Sequence, residues 1–176
     1  YVAQCFWGES ALSKAGSIFL AYALFLHFFV LTVGLLKRLI QPPLKVGSFP
    51  VALNKEYLGW AINSVFHGIV RASPFSSQIF FIFYLNWLYY NLMGMKLPLT
   101  TLIGTDTAIR QPELIELGER VVIGVNSSLT AHYSPSKQKH VQGKIIIGAD
   151  TLVGGYSQIS PRVTIGEKTV LGYGCQ

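Results

Sequence analysis

The final third of the chain repeats one pattern of apolar and polar positions every six residues. An aliphatic residue returns at each sixth position, at Ile147, Val153, Ile159, Ile165 and Leu171. Glycine directly follows four of them, and a small residue stands four places after each, at Thr151, Ser157, Val163, Thr169 and Cys175. An α-helix repeats about every 3.6 residues and a strand about every two, so this period predicts a solenoid of short β segments.

Each repeat is expected to form one side of a triangular coil. The aliphatic side chain fills the interior, the small residue occupies the space that remains, and the glycine allows the tight corner. Leu117 and Ile123 extend the pattern backwards in register, whereas Ile103 lies two residues out of phase. The segment 111–113 is the predicted place where that slip is absorbed. Between Leu129 and Ile147 the six-residue pattern of interior aliphatic residues is lost.

The polar run from His132 to Lys139, which contains a proline, interrupts the repeats. It is predicted to be a loop that projects from the solenoid. Loops on a rigid scaffold commonly carry function, so this segment is the first place to look for chemistry.

The N-terminal half has a different pattern. Residues 17–36 are uncharged and long enough, as a helix, to cross a bilayer core of about 30 Å. Residues 77–95 form a second, more amphipathic membrane segment that spans the bilayer or only enters it, and residues 56–71 are predicted to form an interfacial helix. We therefore expect a membrane-anchoring region over 1–98 and an all-β solenoid over 99–176 that is cut off at its C-terminal end.

Composition supports a membrane protein and excludes a nucleic-acid-binding one. Hydrophobic residues make up 51% of the 176 residues, charged residues 12%, and the mean hydropathy is +0.42. Residues 1–98 hold seven Lys/Arg and two acids, so the basic excess lies beside the apolar segments, where anionic lipids attract it. We expect an integral membrane protein with its solenoid on the cytoplasmic side. A disulfide between Cys5 and Cys175 is not expected.

His132, at the start of the polar run, is the candidate general base. A neutral imidazole can take the proton of an amine or hydroxyl that attacks a thioester, without a covalent enzyme intermediate. Asn126, or a backbone group near it, is a candidate to orient the ring or the acceptor. Gly155, Ser160 and Lys168 are candidates to contact a phosphopantetheine or its phosphates. No metal is expected.

From Ile123 onward the sequence resembles the left-handed β-helix hexapeptide-repeat acyltransferases. The resemblance rests on Thr130-Ala-His132-Tyr, on Lys144 to Gly148, and on the later Gly-containing units. It implies a left-handed parallel β-helix, His132 as base, acyl-coenzyme A in a groove, and a homotrimer or tandem pseudo-trimer. The chain departs from the family pattern at Leu152, where many members have Trp, and at Arg162, where many have Gly.

A looser resemblance covers residues 43–176. The segment 43–50, the Tyr57 and Trp60 pair and the segment 92–96 are similar to membrane-attached repeat domains of poly-amino-acid synthetases. This resemblance implies a phosphopantetheine-bound aminoacyl donor, and a carrier protein or larger membrane complex as partner.

Two other functions are open. The first is a catalytically silent scaffold or assembly subunit of a membrane complex, since a fold does not fix a function. The second is a zinc carbonic anhydrase with His132 and His140 as ligands, which is disfavoured because catalytic zinc needs about three protein ligands.

Overall fold

The computed structural model describes residues 10–176. Four helices and one short strand precede the solenoid: α1 (Ala11–Ile40), β1 (Gly47–Pro50), α2 (Lys55–Ala72), α3 (Ser76–Phe81) and α4 (Phe83–Leu92). Cys5 lies outside the described residues. Solvent reaches Cys175 in part, and its thiol is free.

Helix α1 is apolar on most of its surface. The side chain of Ser10 caps it by accepting a hydrogen bond from the amide of Ser13, and the helix ends just before Pro42 and Pro43, which disfavour a further turn. By length and composition α1 could span a membrane, and only 22% of its most apolar 18-residue window is buried in the structure. A core helix of a soluble protein would be mostly covered.

The second apolar segment is not one continuous helix. Its backbone is extended at Ile82, which separates the six residues of α3 from the ten of α4. Of the helices in residues 10–176, only α1 is long and apolar enough to cross a bilayer. Helix α4 packs closely on α1, since a Cβ atom on Gly34 would lie 2.6 Å from the Cβ atom of Leu92.

The rest of the chain forms short strands, mostly of two or three residues. They are β2 (Leu102–Ile103), β3 (Ala108–Arg110), β4 (Ile115–Leu117), β5 (Val122–Ile123), β6 (Ser128–Thr130), β7 (His132–Ser136), β8 (Lys139–Gln142), β9 (Ile145–Ile147), β10 (Leu152–Val153), β11 (Gln158–Ile159), β12 (Thr164–Ile165) and β13 (Val170–Leu171).

Three parallel sheets wind the chain into coils. Sheet one has the order β2-β5-β10-β13, sheet two β3-β6-β11 and sheet three β4-β9-β12. Successive strands of the chain pass from sheet one to two to three and then return to sheet one. This arrangement of parallel sheets fits a β-helix, and predicted aliphatic residues fill it: Ile123, Leu129, Ile147 and Val153 are each at most 1% exposed.

The small residues of the repeat do more than occupy space. The hydroxyl groups of Thr107, Ser127 and Ser157 are buried and donate to carbonyl groups of Gly124, Gly154 and Gly172 in the next coil. Each hydroxyl thereby satisfies its own hydrogen-bonding need inside an apolar core, where an unpaired polar group costs about 1–3 kcal/mol. This explains why the position favours Ser and Thr.

The glycines of the repeat have a different role from the predicted one. The left-handed corners fall two residues later, at non-glycine residues such as Asn126 (φ 55°) and Lys168 (φ 54°). The glycines instead allow adjacent coils to approach, because a Cβ atom on Gly124 would lie 2.3 Å from the amide nitrogen of Gly155. The prediction that glycine serves the corner was therefore wrong.

The predicted slip in the repeat is confirmed. After β3 the backbone turns left-handed at Gln111 (φ 56°) and forms a 3₁₀ turn over Pro112–Leu114 before β4 begins. These additional residues bring Ile109 and Leu117 into line with Leu129 and Ile147 of the next coil.

The projecting loop predicted at His132–Lys139 is instead part of a β-hairpin. Strands β7 and β8 pair antiparallel, and β1 from the N-terminal half pairs with β8 along its other edge. Strand β8 is thus paired on both edges, and its residues His140, Val141 and Gln142 are each at most 3% exposed. A strand supplied from almost a hundred residues earlier is invisible to local sequence patterns.

A buried ion pair ties the helices to the first coil. The ammonium group of Lys37 is 1% exposed and pairs with the carboxylate of Glu113, which also accepts a hydrogen bond from the Gln41 amide at 2.8 Å. Lys37 donates as well to the carbonyl oxygen of Met93 at 2.6 Å. Because a buried charge is costly without a partner, these contacts fix α1 and α4 against the 3₁₀ turn.

The close approach of the coils predicts that Gly124→Ala destabilises the solenoid. The added methyl would overlap backbone atoms, which cannot move aside like a side chain, so we expect a loss of at least about 1–3 kcal/mol in the free energy of unfolding. Gly166→Ala is the matched control in this chain, because the nearest atom to its Cβ would be 3.7 Å away. Thermal unfolding followed by circular dichroism measures both, and equal losses would contradict the role of coil spacing.

Candidate active site

A cavity of about 490 Å³ lies between helix α2 and the first coils of the solenoid. Helix α2 contributes one wall and strand β3 with its following corner contributes the other. The lining residues are Trp60, Asn63, Ser64, His67, Gly68, Arg71, Ala108, Arg110, Gln111 and His132. The cavity thus lies between the N-terminal helical half and the solenoid, and the predicted base lines it.

His132 occupies the wall of this cavity in a half-buried position. Its ring lies against the indole of Trp60, with ring centroids 5.4 Å apart, and beside the ring of His140 at 5.3 Å. Trp60 also contacts His140, at 4.7 Å between centroids. Through Trp60, helix α2 therefore packs against both histidine rings of the hairpin.

The amide of Gln111 contacts the Nδ1 atom of His132 at 2.5 Å. The amide atom that makes this contact also lies 3.1 Å from the carbonyl oxygen of Arg110, and the other amide atom lies 3.2 Å from the Nε1 atom of Trp60. A carbonyl oxygen only accepts and an indole N–H only donates. All these groups are satisfied when the Gln111 NH₂ faces Arg110 and His132 and its oxygen faces Trp60, which leaves the neutral His132 protonated at Nε2.

Both histidines in the cavity are neutral at physiological pH. Burial, with smaller effects of the neighbouring His140 and Arg110, lowers the pKa of His132 to about 4. Burial and then the charges of Arg71, Arg110 and Lys37 lower the pKa of His67 to about 4 as well. The Nδ1 atom of His67 is 2.5 Å from the Tyr89 hydroxyl oxygen.

A second, more open groove lies next to His132. It has a volume of about 470 Å³ and is lined by Thr130, His132, Tyr133, Ser160 and Pro161. His132 therefore lines two separate spaces, one towards α2 and a somewhat more open one along the solenoid. Such a position suits a group that acts between two substrates.

The structure brings only some of the predicted site residues together. His132 and Ser160 share the groove at the edge between sheets two and three. Asn126 and Gly155 lie at the corner that follows sheet one, and Lys168 lies at the corner that follows sheet three. The side chain that hydrogen-bonds with His132 is that of Gln111. The role predicted for Asn126, to orient the ring or the acceptor, stays a prediction.

Several residues of the site could not be identified from the sequence. Trp60, Asn63, His67 and Arg71 recur on one face of α2 at helical spacing, which looks the same for a helix that packs on a membrane or a core. Gln111 lies at the slip in the repeat. That irregularity was visible, but nothing in it indicated a contact with His132.

Two buried polar side chains in the hairpin have hydrogen-bonding atoms without protein partners. His140 and Gln142 are both 0% exposed, and the Nε2 atom of His140 and both amide atoms of Gln142 lack a partner among the described residues. Burial lowers the pKa of His140 below its usual value. Among residues 10–176, no group of three His, Cys, Asp or Glu side chains is placed to bind a metal ion.

Comparison with curated proteins finds a relative of part of the chain. The chain is similar to YvoF of Bacillus subtilis (strain 168), a protein provisionally named as an acetyltransferase, with 32% identity over 114 residues. The match covers 64% of this chain and 62% of that relative, so the chain spans less than two thirds of the relative's length. No family model matches.

Among solved structures, the chain matches serine acetyltransferase isoform 3 from Entamoeba histolytica, crystallised in complex with cysteine. The sequences are 12% identical, and the match covers 87% of this chain and 60% of that chain with a TM-score of 0.22.

The contacts of Gln111 predict that Gln111→Glu raises the pKa of His132. A carboxylate can only accept hydrogen bonds, so it would hold a proton on Nδ1 and favour the charged ring, and we expect a rise of about 1–2 units from about 4. The ring resonances of His132, followed by NMR as pH is varied, measure the shift. Gln138→Glu, an exposed position in the hairpin turn, is the control. An unchanged His132 titration in Gln111→Glu would show that Gln111 does not set the protonation of the ring.

Proposed function

We propose that this chain transfers an acyl group from a thioester to an amine or hydroxyl acceptor, with His132 as general base. The supporting observation is that the neutral ring of His132 lines both the cavity beside α2 and the groove along the solenoid. A base between two substrates needs this placement, and a pKa of about 4 keeps the imidazole available to accept a proton at physiological pH.

In the proposed reaction the acceptor occupies the cavity beside α2 and the thioester arm lies in the groove. The nitrogen or oxygen of the acceptor attacks the thioester carbonyl carbon while its proton passes to Nε2 of His132. The carbon–sulfur bond then breaks, and the departing thiolate takes that proton. No covalent enzyme intermediate is needed.

Base catalysis at Nε2 requires the tautomer that is protonated at Nδ1. Gln111 stabilises this tautomer when its oxygen turns towards Nδ1, although it then loses the hydrogen bonds to Arg110 and Trp60. In this proposal Gln111 controls the fraction of His132 rings in the tautomer that can act as a base. Rotation of the Gln111 amide is a step in the proposed cycle.

The donor is proposed to be acyl-coenzyme A or a phosphopantetheine thioester on a carrier protein. Ser160 shares the groove with His132 and is placed to contact the pantetheine arm. Gly155 and Lys168 lie at other edges of the solenoid, so they would contact a donor only at its distant end. More specifically, the donor is proposed to carry an aminoacyl group, as in poly-amino-acid synthetases.

We further propose that the β-helix is left-handed and that the protein is anchored in the membrane by α1, with the solenoid on the cytoplasmic side. Large apolar side chains exposed along α1, among them Phe19, Phe28 and Leu39, support a lipid contact. We also propose a homotrimer or tandem pseudo-trimer, in which a neighbouring solenoid would close the groove.

His132→Ala tests the function directly. We expect thioester-dependent transfer to fall at least about 100-fold, because no other imidazole lines the groove within residues 10–176. His132→Gln removes the base but keeps a hydrogen-bonding side chain, and it should lose as much activity. His27→Gln, on α1 and away from the cavity, is the control.

Transfer is measured as free thiol released from acetyl-coenzyme A and from aminoacyl-phosphopantetheine carriers, with folding checked by thermal unfolding. Full activity in both His132 variants would show that His132 is not the general base. A wild-type chain that transfers nothing from either class of donor, while folded, would instead favour the silent scaffold.

Membrane orientation is tested with a cysteine in place of Tyr173, which is 76% exposed on the solenoid, in a chain without its two native cysteines. A cytoplasmic solenoid predicts that a membrane-impermeant maleimide labels this cysteine in inside-out vesicles and not in intact cells. Labelling in intact cells would place the solenoid on the other side.

A further inference from the structure

The cavity carries positive charge that forms no ion pair with the described carboxylates, although Asp106 lines a neighbouring pocket together with one of its arginines, Arg71. Arg71 and Arg110 both line it, and neither makes an ion pair within residues 10–176. The other lining residues are uncharged, since both histidines are neutral. Two guanidinium groups facing one space create a potential that attracts an anion.

The two arginines differ in how firmly they are held. Arg71 donates to the Thr107 carbonyl oxygen at 2.5 Å and lies 3.9 Å from the ring centre of Phe80, so its guanidinium is fixed at the base of the cavity. Arg110 is exposed and makes no side-chain hydrogen bond that the structure records. One cation is thus positioned in advance, and the second is free to close on a ligand.

Asn63 provides an independent sign that the cavity takes a polar ligand. Its side chain lines the cavity and is 1% exposed, yet neither its amide nitrogen nor its amide oxygen has a protein partner. A buried amide without partners costs free energy that a bound polar group recovers. Its N–H group can donate to an anion and its oxygen can accept from an ammonium or hydroxyl group.

From this arrangement we infer that the acceptor is a small molecule that carries a carboxylate together with its reactive amine or hydroxyl, and that Arg71 and Arg110 bind the carboxylate. The inference rests on the proposed function, because it assigns the cavity beside α2 to the acceptor. Arginine binds carboxylates through two parallel hydrogen bonds, which would orient the acceptor towards His132. A cavity of about 490 Å³ has room for a molecule the size of an amino acid.

The test is binding of acetate to the full chain in detergent, followed through the histidine ring resonances by NMR. Bound acetate offsets the arginine charges that act on His67 and His132, so it should raise the pKa of both rings, whereas uncharged acetamide should not. Arg110→Gln should weaken acetate binding at least about tenfold. Arg162→Gln, an exposed arginine that does not line the cavity, should leave binding unchanged.

Two further probes separate the acceptor from the donor. Inorganic phosphate and adenosine 3′,5′-bisphosphate carry the anionic groups of coenzyme A, and tighter binding of either one at the same histidines would assign the cavity to the donor and overturn the inference. Equal effects of acetate and acetamide, or an unchanged affinity in Arg110→Gln, would also overturn it.

This outcome is separable from that of the proposed function, because binding is read without turnover. A chain that binds acetate through Arg110 and transfers no acyl group would disprove the proposed function and leave the anion site in place. A chain that transfers acyl groups but shows no acetate binding would disprove the inference alone. Where transfer occurs, acetate should compete with the acceptor and not with the thioester.

Discussion

The distance between hydrogen-bonded coils is the constraint on which the rest of the molecule depends. Parallel strands lie about 4.8 Å apart, and at the corners the backbones of adjacent coils come closer than a Cβ atom allows. Glycine meets this limit at Gly118 and Gly124, where a Cβ atom would lie 2.5 Å and 2.3 Å from the amide nitrogen of the next coil. Because hydrogen bonds and close backbone contacts fix the spacing of the coils, residues at the same edge of adjacent coils stay in line.

The site arises where this regularity is broken. The two additional residues in the first coil produce the left-handed Gln111 and the 3₁₀ turn that contains Glu113. Gln111 contacts His132 of the next coil, and Glu113 pairs with Lys37 of α1. One irregularity therefore does two things at once, since it contacts the candidate base and fixes α1, which packs on the cavity-lining helix α2, against the first coil.

The sequence predicted the solenoid and its interior because coil stacking imposes a local period that few other folds share. It could not predict what forms the cavity, because Trp60 meets His132 only through contacts between distant segments. The same limit explains why a polar run was predicted to be a loop. Strand β1 supplies the partner that makes the run a hairpin, and no spacing within the run reveals that partner. His132 was recognisable by its place beside an interruption, whereas Gln111 had no chemical signature.

In the proposed site, the charges in the cavity link binding of the acceptor to the basicity of His132. With no ligand bound, Arg110 and burial both disfavour a positive charge on His132, so the ring is neutral but a weak base. A carboxylate held by Arg71 and Arg110 would cancel part of that positive potential. The imidazole would then become more basic when the acceptor arrives, and the imidazolium formed during proton transfer would be stabilised by the substrate's own charge. In the proposed site the carboxylate of the acceptor would raise the basicity of His132. An uncharged analogue of the same shape would therefore react more slowly even when it binds in the same place.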